Sequence, residues 1–324
     1  MQCTGGMQIR SAAMHTFTMS TRTLLPRTSL NSSKWFQCSW TLQGLIAPRD
    51  IEFVDSRWNK IGNKTNMIST LTDITGIRQD VLTHGLPPPH HSHRPSVAQI
   101  MSWAASRQTR RVEDQAYSLI GLFGTPMVIQ YGEKENAFQR LQEAIIVEYN
   151  DHTIFAWFDH VRRGSVLADS PSCFLGSCDV IRLDPSVAFA PKCPPDIAHL
   201  RSFQVTEKGI EIWLPVTRRP GSGNHVQAKL ACCRKGNPNL LSINLSVALH
   251  DYDDLFIRDT DSDILSKKPV FPADDQTRLS LSNMYRDWTH LLAMHPTLSV
   301  PYSTEYPNGP RMWMAGLRYK KGVL

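Results

Sequence analysis

Eight consecutive residues, Arg110-Arg111-Val112-Glu113-Asp114-Gln115-Ala116-Tyr117, put two guanidinium groups, two carboxylates and a phenol on one short stretch. At the start of a helix, Glu113 and Asp114 favour its positive end, and Tyr117 lies one turn further on the same side. Such a cluster can face a ligand or a partner. It can equally cap the helix and tie it to its neighbours through ion pairs, and we adopt that structural reading. Exposed ion pairs contribute little by themselves. Tyr131-Gly132-Glu133 reads as a turn into a further helix, with Gly132 supplying backbone freedom.

Metal chemistry has weaker signals. Residues 87–95 offer His90, His91 and His93, but the flanking prolines make the segment a loop first. Cys173 and Cys178 lack a second ligand pair at a useful distance, so no metal is expected. The cysteines number seven, are spread widely, and follow no apolar leader, which argues against a secreted disulfide framework. We read Cys232 as a small core hydrophobe.

The chain has 324 residues, 41% hydrophobic and 20% charged, enough for one large or two ordinary packed domains. Its net charge of +6 is scattered in doublets such as Arg162-Arg163 and Arg218-Arg219, without the stripe of a nucleic-acid binder. No apolar run is long enough to span a bilayer. The expected location is cytoplasmic. The first 49 residues hold no acid but several arginines, which resembles a mitochondrial transit peptide, a minor alternative.

Hydrophobic period sets the elements that would position these residues. Residues 34–45 read as a short helix, weakened by Gly44 and ended by Pro48. Ile51 and Phe53 share one face of a strand. Helices are expected over 69–82, from a Ser96 cap onward, over 112–123, and over 133–149 with acids in its first turn. Gly124-Thr125-Pro126 separates the last two. Beyond about 160 the period becomes two. Residues 203–205 and 210–214 form an expected hairpin, and strands follow through Val226, Ala228, Leu230 and Cys232 and through Leu241, Ile243 and Leu245. Residues 181–200 and 217–225 read as connectors.

Several blocks carry a family likeness: Lys34-Trp35-Phe36, Trp40-Thr41-Leu42-Gln43, Leu45-Ile46-Ala47-Pro48-Arg49-Asp50, Met101-Ser102-Trp103, Arg111 with Glu113, Asp114 and Tyr117, and Tyr131-Gly132-Glu133. Together they resemble the fungal heterokaryon-incompatibility (HET) domain, in the branch where it leads into a β-rich tail. The resemblance covers about residues 30–250. It implies Trp35, Trp40, Gln43, Trp103, Arg111, Glu113, Asp114, Tyr117, Tyr131, Gly132 and Glu133 as family-motif positions. The family's first strands and its Trp-Ile-Asp-Thr-Cys-Cys-like segment are absent, with residues 12–19 as a degraded remnant of one strand.

That family is regarded as a distant relative of Toll/interleukin-receptor (TIR) domains, some of which cleave NAD through a helical glutamate. The equivalent acid falls on position 44, which is glycine here. A carboxylate stabilises the oxocarbenium-like ribose of that reaction, and glycine has no charge to offer. Asp50, Glu52 and Asp55 are the nearby acids, on a different element. The resemblance therefore implies no catalytic residue and no cofactor, NAD entering only if the chemistry survives.

The expected architecture is α/β, a partial TIR-like or flavodoxin-like HET domain followed by a mainly antiparallel β domain. Its segments are 1–33 without assignment, 34–160 the HET-like part, 161–260 the β-rich part, and 261–324 without assignment. The implied function is self/non-self recognition or cell-death signalling through protein contacts. Another HET-like chain or an upstream sensor would be the partner, with no nucleic acid and no membrane span. A TIR-like NAD glycohydrolase and a non-functional truncated paralogue are the alternatives.

Overall fold

The computed structural model describes residues 13–16, 33–54, 58–158, 166–189, 203–206, 209–218, 225–247, 255–259 and 312–317. These hold helices and both parallel and antiparallel strand pairs, a mixed α and β chain. It divides into two compact units. Met1–Pro95 with Trp103–Phe138 make the first, and Ser96–Ser102 with Gln139–Leu324 the second.

The first unit holds a three-stranded sheet of β1 (Ala13–Thr16), β2 (Ile51–Val54) and β3 (Lys60–Asn63). Strand β1 runs parallel to β2, in register from Ala13 opposite Ile51 to Thr16 opposite Val54, and falls within the expected remnant strand. A parallel pair needs a crossover, and α1 (Lys34–Gln37) and α2 (Thr41–Ile46) lie on it. Ile51 and Phe53 are fully buried, as their alternation predicts.

The single helix expected over 34–45 is in fact two. Cys38 takes an extended conformation and forms a parallel bridge with Gln108. Gln108 N–H donates to the Gln37 carbonyl at 2.6 Å and Ser39 N–H to the Gln108 carbonyl at 3.1 Å. These bonds to a segment distant in sequence outcompete helix continuation, which offers a backbone no more than local partners. At the far end of α2, buried Lys64 donates through Nζ to the carbonyls of Ile46 at 3.3 Å and Pro48 at 2.7 Å. Burial lowers its pKa to about 8, against the raising pull of Asp50.

The expected helix over 69–82 also divides, into α3 (Ile68–Thr75) and α4 (Gln79–His84). Gly76 stands between them at φ +69°, a left-handed cap that glycine adopts without a side-chain clash. Helix α5 (Val97–Ala104) starts one residue after Ser96. Ser96 Oγ accepts from Gln99 N–H at 3.2 Å while Gln99 Oε1 accepts from Ser96 N–H at 3.1 Å, a reciprocal capping box. Helix α6 is Asp114–Phe123, two residues shorter at its start than expected, and Gly124 ends it at φ +68°.

Helix α7 (Asn136–Glu148) begins three residues later than expected and has no acid in its first turn. The reason is Lys134, which sits at φ +51° and cannot continue a right-handed helix backwards.

In the second unit, Asp151 organises the chain around the start of α5. Its Oδ2 accepts from Val97 N–H at 3.0 Å and its Oδ1 from Thr153 N–H at 2.9 Å, while Thr153 Oγ1 accepts from Ala98 N–H at 3.1 Å. Three free helix donors thereby find oxygen acceptors away from water.

The remaining strands form a seven-stranded sheet: β4 (Val180–Arg182), β5 (Gln204–Thr206), β6 (Gly209–Arg218), β7 (His225–Arg234), β8 (Leu240–Val247), β9 (Leu255–Asp259) and β10 (Met312–Leu317). Because β6 pairs with both β7 and β10, strands β6 to β10 close a ring, with β9 and β10 parallel. The expected hairpin is the β5–β6 pair. Ile210, Ile212, Leu214, Ala228, Leu230, Cys232, Ile243 and Leu245 are buried, on the alternating positions read from sequence. Ala231 and Cys233 are buried as well, beside the register shift between β7 and β8.

The segment 181–200 is not wholly a connector. Strand β4 pairs with β7, and a turn of helix, α8 (Pro185–Ala188), follows under an Asp184 cap. The segment 217–225 is likewise shorter as a connector, since β6 continues to Arg218 and β7 starts at His225.

His152 is fully buried and its Nδ1 accepts from Ala231 N–H at 3.2 Å, so the neutral ring carries its proton on Nε2. Burial lowers its pKa from 6.5 to about 3. Between those values the unfolded chain binds the extra proton, so stability falls as pH drops through that window. The loss amounts to at most about 5 kcal/mol once pH reaches the folded value. His152→Asn keeps an acceptor for Ala231 and removes the titration. We expect its urea midpoint to fall less than that of the parent between pH 6.5 and 4. Parallel pH profiles would exclude His152 as the acid-sensitive group.

Candidate functional site

The Trp40–Gln43 block and the Arg110–Tyr117 block, two of those that carried the family likeness, meet in the first unit. Gln43 on α2 donates from Nε2 to the Ser118 carbonyl on α6 at 2.6 Å. The approach depends on Gly121, where an added Cβ would stand 3.0 Å from Gln43 Oε1. Thr41 Oγ1 sits within 2.5 Å of the Trp35 carbonyl and 2.8 Å of the Cys38 carbonyl, binding the start of α2 to the end of α1. Trp35 is half-buried and meets the rings of Phe36 and Phe53 edge-on at 5.0 and 6.0 Å. Trp103 is buried; Trp40 is 38% exposed.

The second cluster is a clasp that holds the loop between α6 and α7. Glu113 lies just before α6 and does not cap it; its side chain turns to the loop. Glu113 Oε1 accepts from Gly132 N–H at 2.8 Å and Lys134 N–H at 3.2 Å. Its own backbone N–H, then that of Gly132, holds the carboxyl below the usual carboxylate range.

Tyr117 Oη accepts from Gln130 N–H at 2.9 Å and lies 2.6 Å from both the Gln130 carbonyl and Glu133 Oε1. One hydroxyl proton serves those two acceptors. Tyr131 donates to Asp114 Oδ1 at 3.1 Å, stacks edge-on against Tyr117 at 5.5 Å, and carries the Arg111 guanidinium 4.5 Å above its ring. Gly132, at φ +103°, makes the turn that presents its amide to Glu113.

Arg111, Glu113, Asp114, Tyr117, Tyr131, Gly132 and Glu133 thus form one assembly, with backbone amides and a phenol as its main contacts. Trp35, Trp40 and Gln43 belong to a second assembly around α2, and Trp103 joins that one through Arg107. The clasp presents large apolar side chains outward, among exposed polar ones such as Arg111, Gln130 and Lys134. Val128 is 74% exposed, Ile129 47%, Tyr131 50%, and Val112, next to Arg111, 43%.

The acids considered for catalysis are not gathered. Gly44 is half-exposed on α2, and Asp50 is exposed beyond its end. Glu52 is on β2 and pairs with Lys60. Asp55 lies outside the described residues. His91 and His93 stand 5.6 Å apart by ring centre, with His93 N–H donating to His91 Nδ1. Among the described residues no group of three or more His, Cys, Asp or Glu side chains is placed to hold a metal ion.

Sequence reasoning passed over Arg107, Val128, Ile129 and Lys134. Arg107 had a signal, a lone charge after the apolar Trp103-Ala104-Ala105 run. Val128 and Ile129 had one too, an apolar pair inside a Pro/Gly-bounded loop.

A stretch of 113 residues, 35% of this chain, is 42% identical to the vegetative incompatibility protein HET-E-1 of Podospora anserina. The match spans 8% of the length of that relative. No family profile and no solved structure matches the chain.

Two substitutions test the clasp. Tyr117→Phe leaves Gln130 N–H and Glu133 without their hydroxyl partner in a half-buried contact. We expect thermal or urea unfolding to show a loss of about 1–3 kcal/mol. Lys134→Gly relieves a left-handed side chain while keeping the amide that bonds Glu113, and should stabilise by about 1 kcal/mol. A destabilised glycine variant would show that the lysine side chain has a role of its own.

Proposed function

We propose that this chain acts in fungal self/non-self recognition or cell-death signalling, through protein contacts and without catalysis. The observation that carries the reading is the clasped loop: Val128, Ile129 and Tyr131 face outward on a backbone fixed by Glu113 and Tyr117. A preorganised loop loses little conformational freedom on binding, so more of its apolar contact appears as affinity. Tyr and Arg together, as in Tyr131 under Arg111, are the residue types most often dominant at protein interfaces.

The partial relative is by name a vegetative incompatibility protein, which supports the same biology here. The β1–α–β2 crossover is consistent with a partial TIR-like HET domain, and the β6–β10 ring with the β-rich tail of that branch. Among the described residues no helix is long and apolar enough to cross a membrane. We take the partner to be another HET-like chain or an upstream sensor, met in the cytoplasm. No cofactor enters this reading, because glycine stands at position 44 and Glu52 is engaged with Lys60.

The test is expression of the chain in a fungal host, scored as growth arrest, beside a Val128→Asp/Ile129→Asp variant. Surface changes of this kind typically alter stability by no more than about 0.5 kcal/mol. The variant should keep the parent's melting curve and lose the arrest. Arrest at parental strength by a folded variant would remove this loop from the mechanism. Nicotinamide release from NAD by the folded chain, above a no-enzyme control, would overturn the non-catalytic part of the reading and favour the glycohydrolase alternative.

A further inference from the structure

Arg107 is a buried cation that bonds no carboxylate among the described residues, with the Cys38 thiol as its ionisable neighbour. It is 7% exposed, and its bonds within the described residues all go to neutral acceptors. Nε donates to the Trp103 carbonyl at 3.1 Å, and Nη1 to the Cys38 carbonyl at 2.8 Å and Thr41 Oγ1 at 3.0 Å. Nη2 donates no hydrogen bond among the described residues. A guanidinium removed from water ordinarily has a carboxylate or phosphate across its fork, because that geometry accepts two parallel N–H bonds. Burial lowers its pKa to about 10, which still leaves it charged at neutral pH.

Thr41 locates the missing anion. It contacts the guanidinium from the first turn of α2, and position 44 follows it by three residues on the same side of that helix. Helical side chains lean toward the preceding turn, so a side chain at 44 would point back over Thr41 and the guanidinium. Residue 44 is glycine and supplies none.

We propose that the Nη2 edge of Arg107, with Thr41 below it and Gly44 leaving the helix bare above it, is a binding site for an oxyanion, the phosphate or carboxylate group of a small ligand. The site is distinct from the Val128–Tyr131 surface and does not depend on the recognition reading. Arg107 supplies the two N–H donors of Nη2, its Nε and Nη1 hydrogens being taken by protein oxygens, and Thr41 fixes the guanidinium plane. A glutamate at 44 would serve the same cation from within the chain, so the bound anion and that side chain are mutually exclusive.

The experiment compares the full chain with Gly44→Ala and Gly44→Glu. The alanine variant gains helix propensity without charge and so isolates the effect of the carboxylate. Melting temperature is measured in inorganic phosphate, in acetate, and in chloride at matched ionic strength. Phosphate at about ten times its dissociation constant should raise the melting temperature of the parent and of Gly44→Ala by about 3 °C over chloride. Gly44→Glu should start above Gly44→Ala in chloride and show no such rise.

General salting effects of phosphate act on all three proteins alike, so the difference between variants is the readout. An acetate response equal to that of phosphate would assign a carboxylate ligand, and a response to phosphate alone a phosphate. As a second readout, the Arg107 Nε–Hε resonance should shift with saturation on phosphate addition to the parent and stay fixed in Gly44→Glu. The proposal is overturned if Gly44→Glu responds to phosphate as the parent does, if it melts below Gly44→Ala, or if no anion moves the parent.

Discussion

The clasp between Glu113, Tyr117 and the loop at residues 130–134 is the interaction on which the rest of the first unit depends. A loop between two helices carries backbone donors that no regular element satisfies, and buried ones must find partners. Glu113 takes two of them, at Gly132 and Lys134, and Tyr117 takes that of Gln130. An ionised carboxylate is the stronger acceptor for amides. Its depressed pKa means that this contribution is present at neutral pH and is lost as pH falls through the carboxylate range. By fixing the loop, the clasp also decides where α7 begins and which side chains face water.

Much of the fold was legible where packing agrees with local period. Ile51 and Phe53, the Ser96 cap, and the alternating Ala228, Leu230 and Cys232 all obey rules that act within a few residues. Two failures came where a distant partner overrode local preference. Residues 34–45 have helical spacing throughout, yet the bridge from Cys38 to Gln108, seventy positions on, splits the run. Nothing local announces that pairing. The late start of α7 is of the same kind, because Lys134 is held left-handed with its amide on Glu113, while Glu133 is drawn to Tyr117.

The candidate site was legible as a set of residues and illegible as a geometry. Arg111, Glu113, Asp114 and Tyr117 sit close in sequence, and a cap with ion pairs is the natural inference. Their partners turned out to be backbone amides and the Tyr131 ring, supplied by a segment that helical spacing does not connect to them. The outward apolar residues were invisible for a simpler reason. A Val-Ile pair in a loop looks like core until burial is known, and here Val128 and Ile129 stay in water.

Position 44 shows how one absent side chain changes the meaning of its surroundings. An acid there, one helical turn from the Thr41 hydroxyl that the guanidinium bonds, would make that buried cation half of an ion pair and largely offset its desolvation. With glycine, the same guanidinium keeps its charge against carbonyl and hydroxyl oxygens, which compensate it only in part. Removing one partner of a buried pair is usually the costlier change, because the other charge remains. The chain nevertheless retains Arg107 in place through Trp103, Cys38 and Thr41, which join α5 to the turn between α1 and α2. The arginine therefore has a structural role of its own, as the tie between Trp103 and the turn that holds Cys38 and Thr41. Its partly compensated charge is the consequence, and an anion from solution is the chemically simplest group to meet the free Nη2 edge.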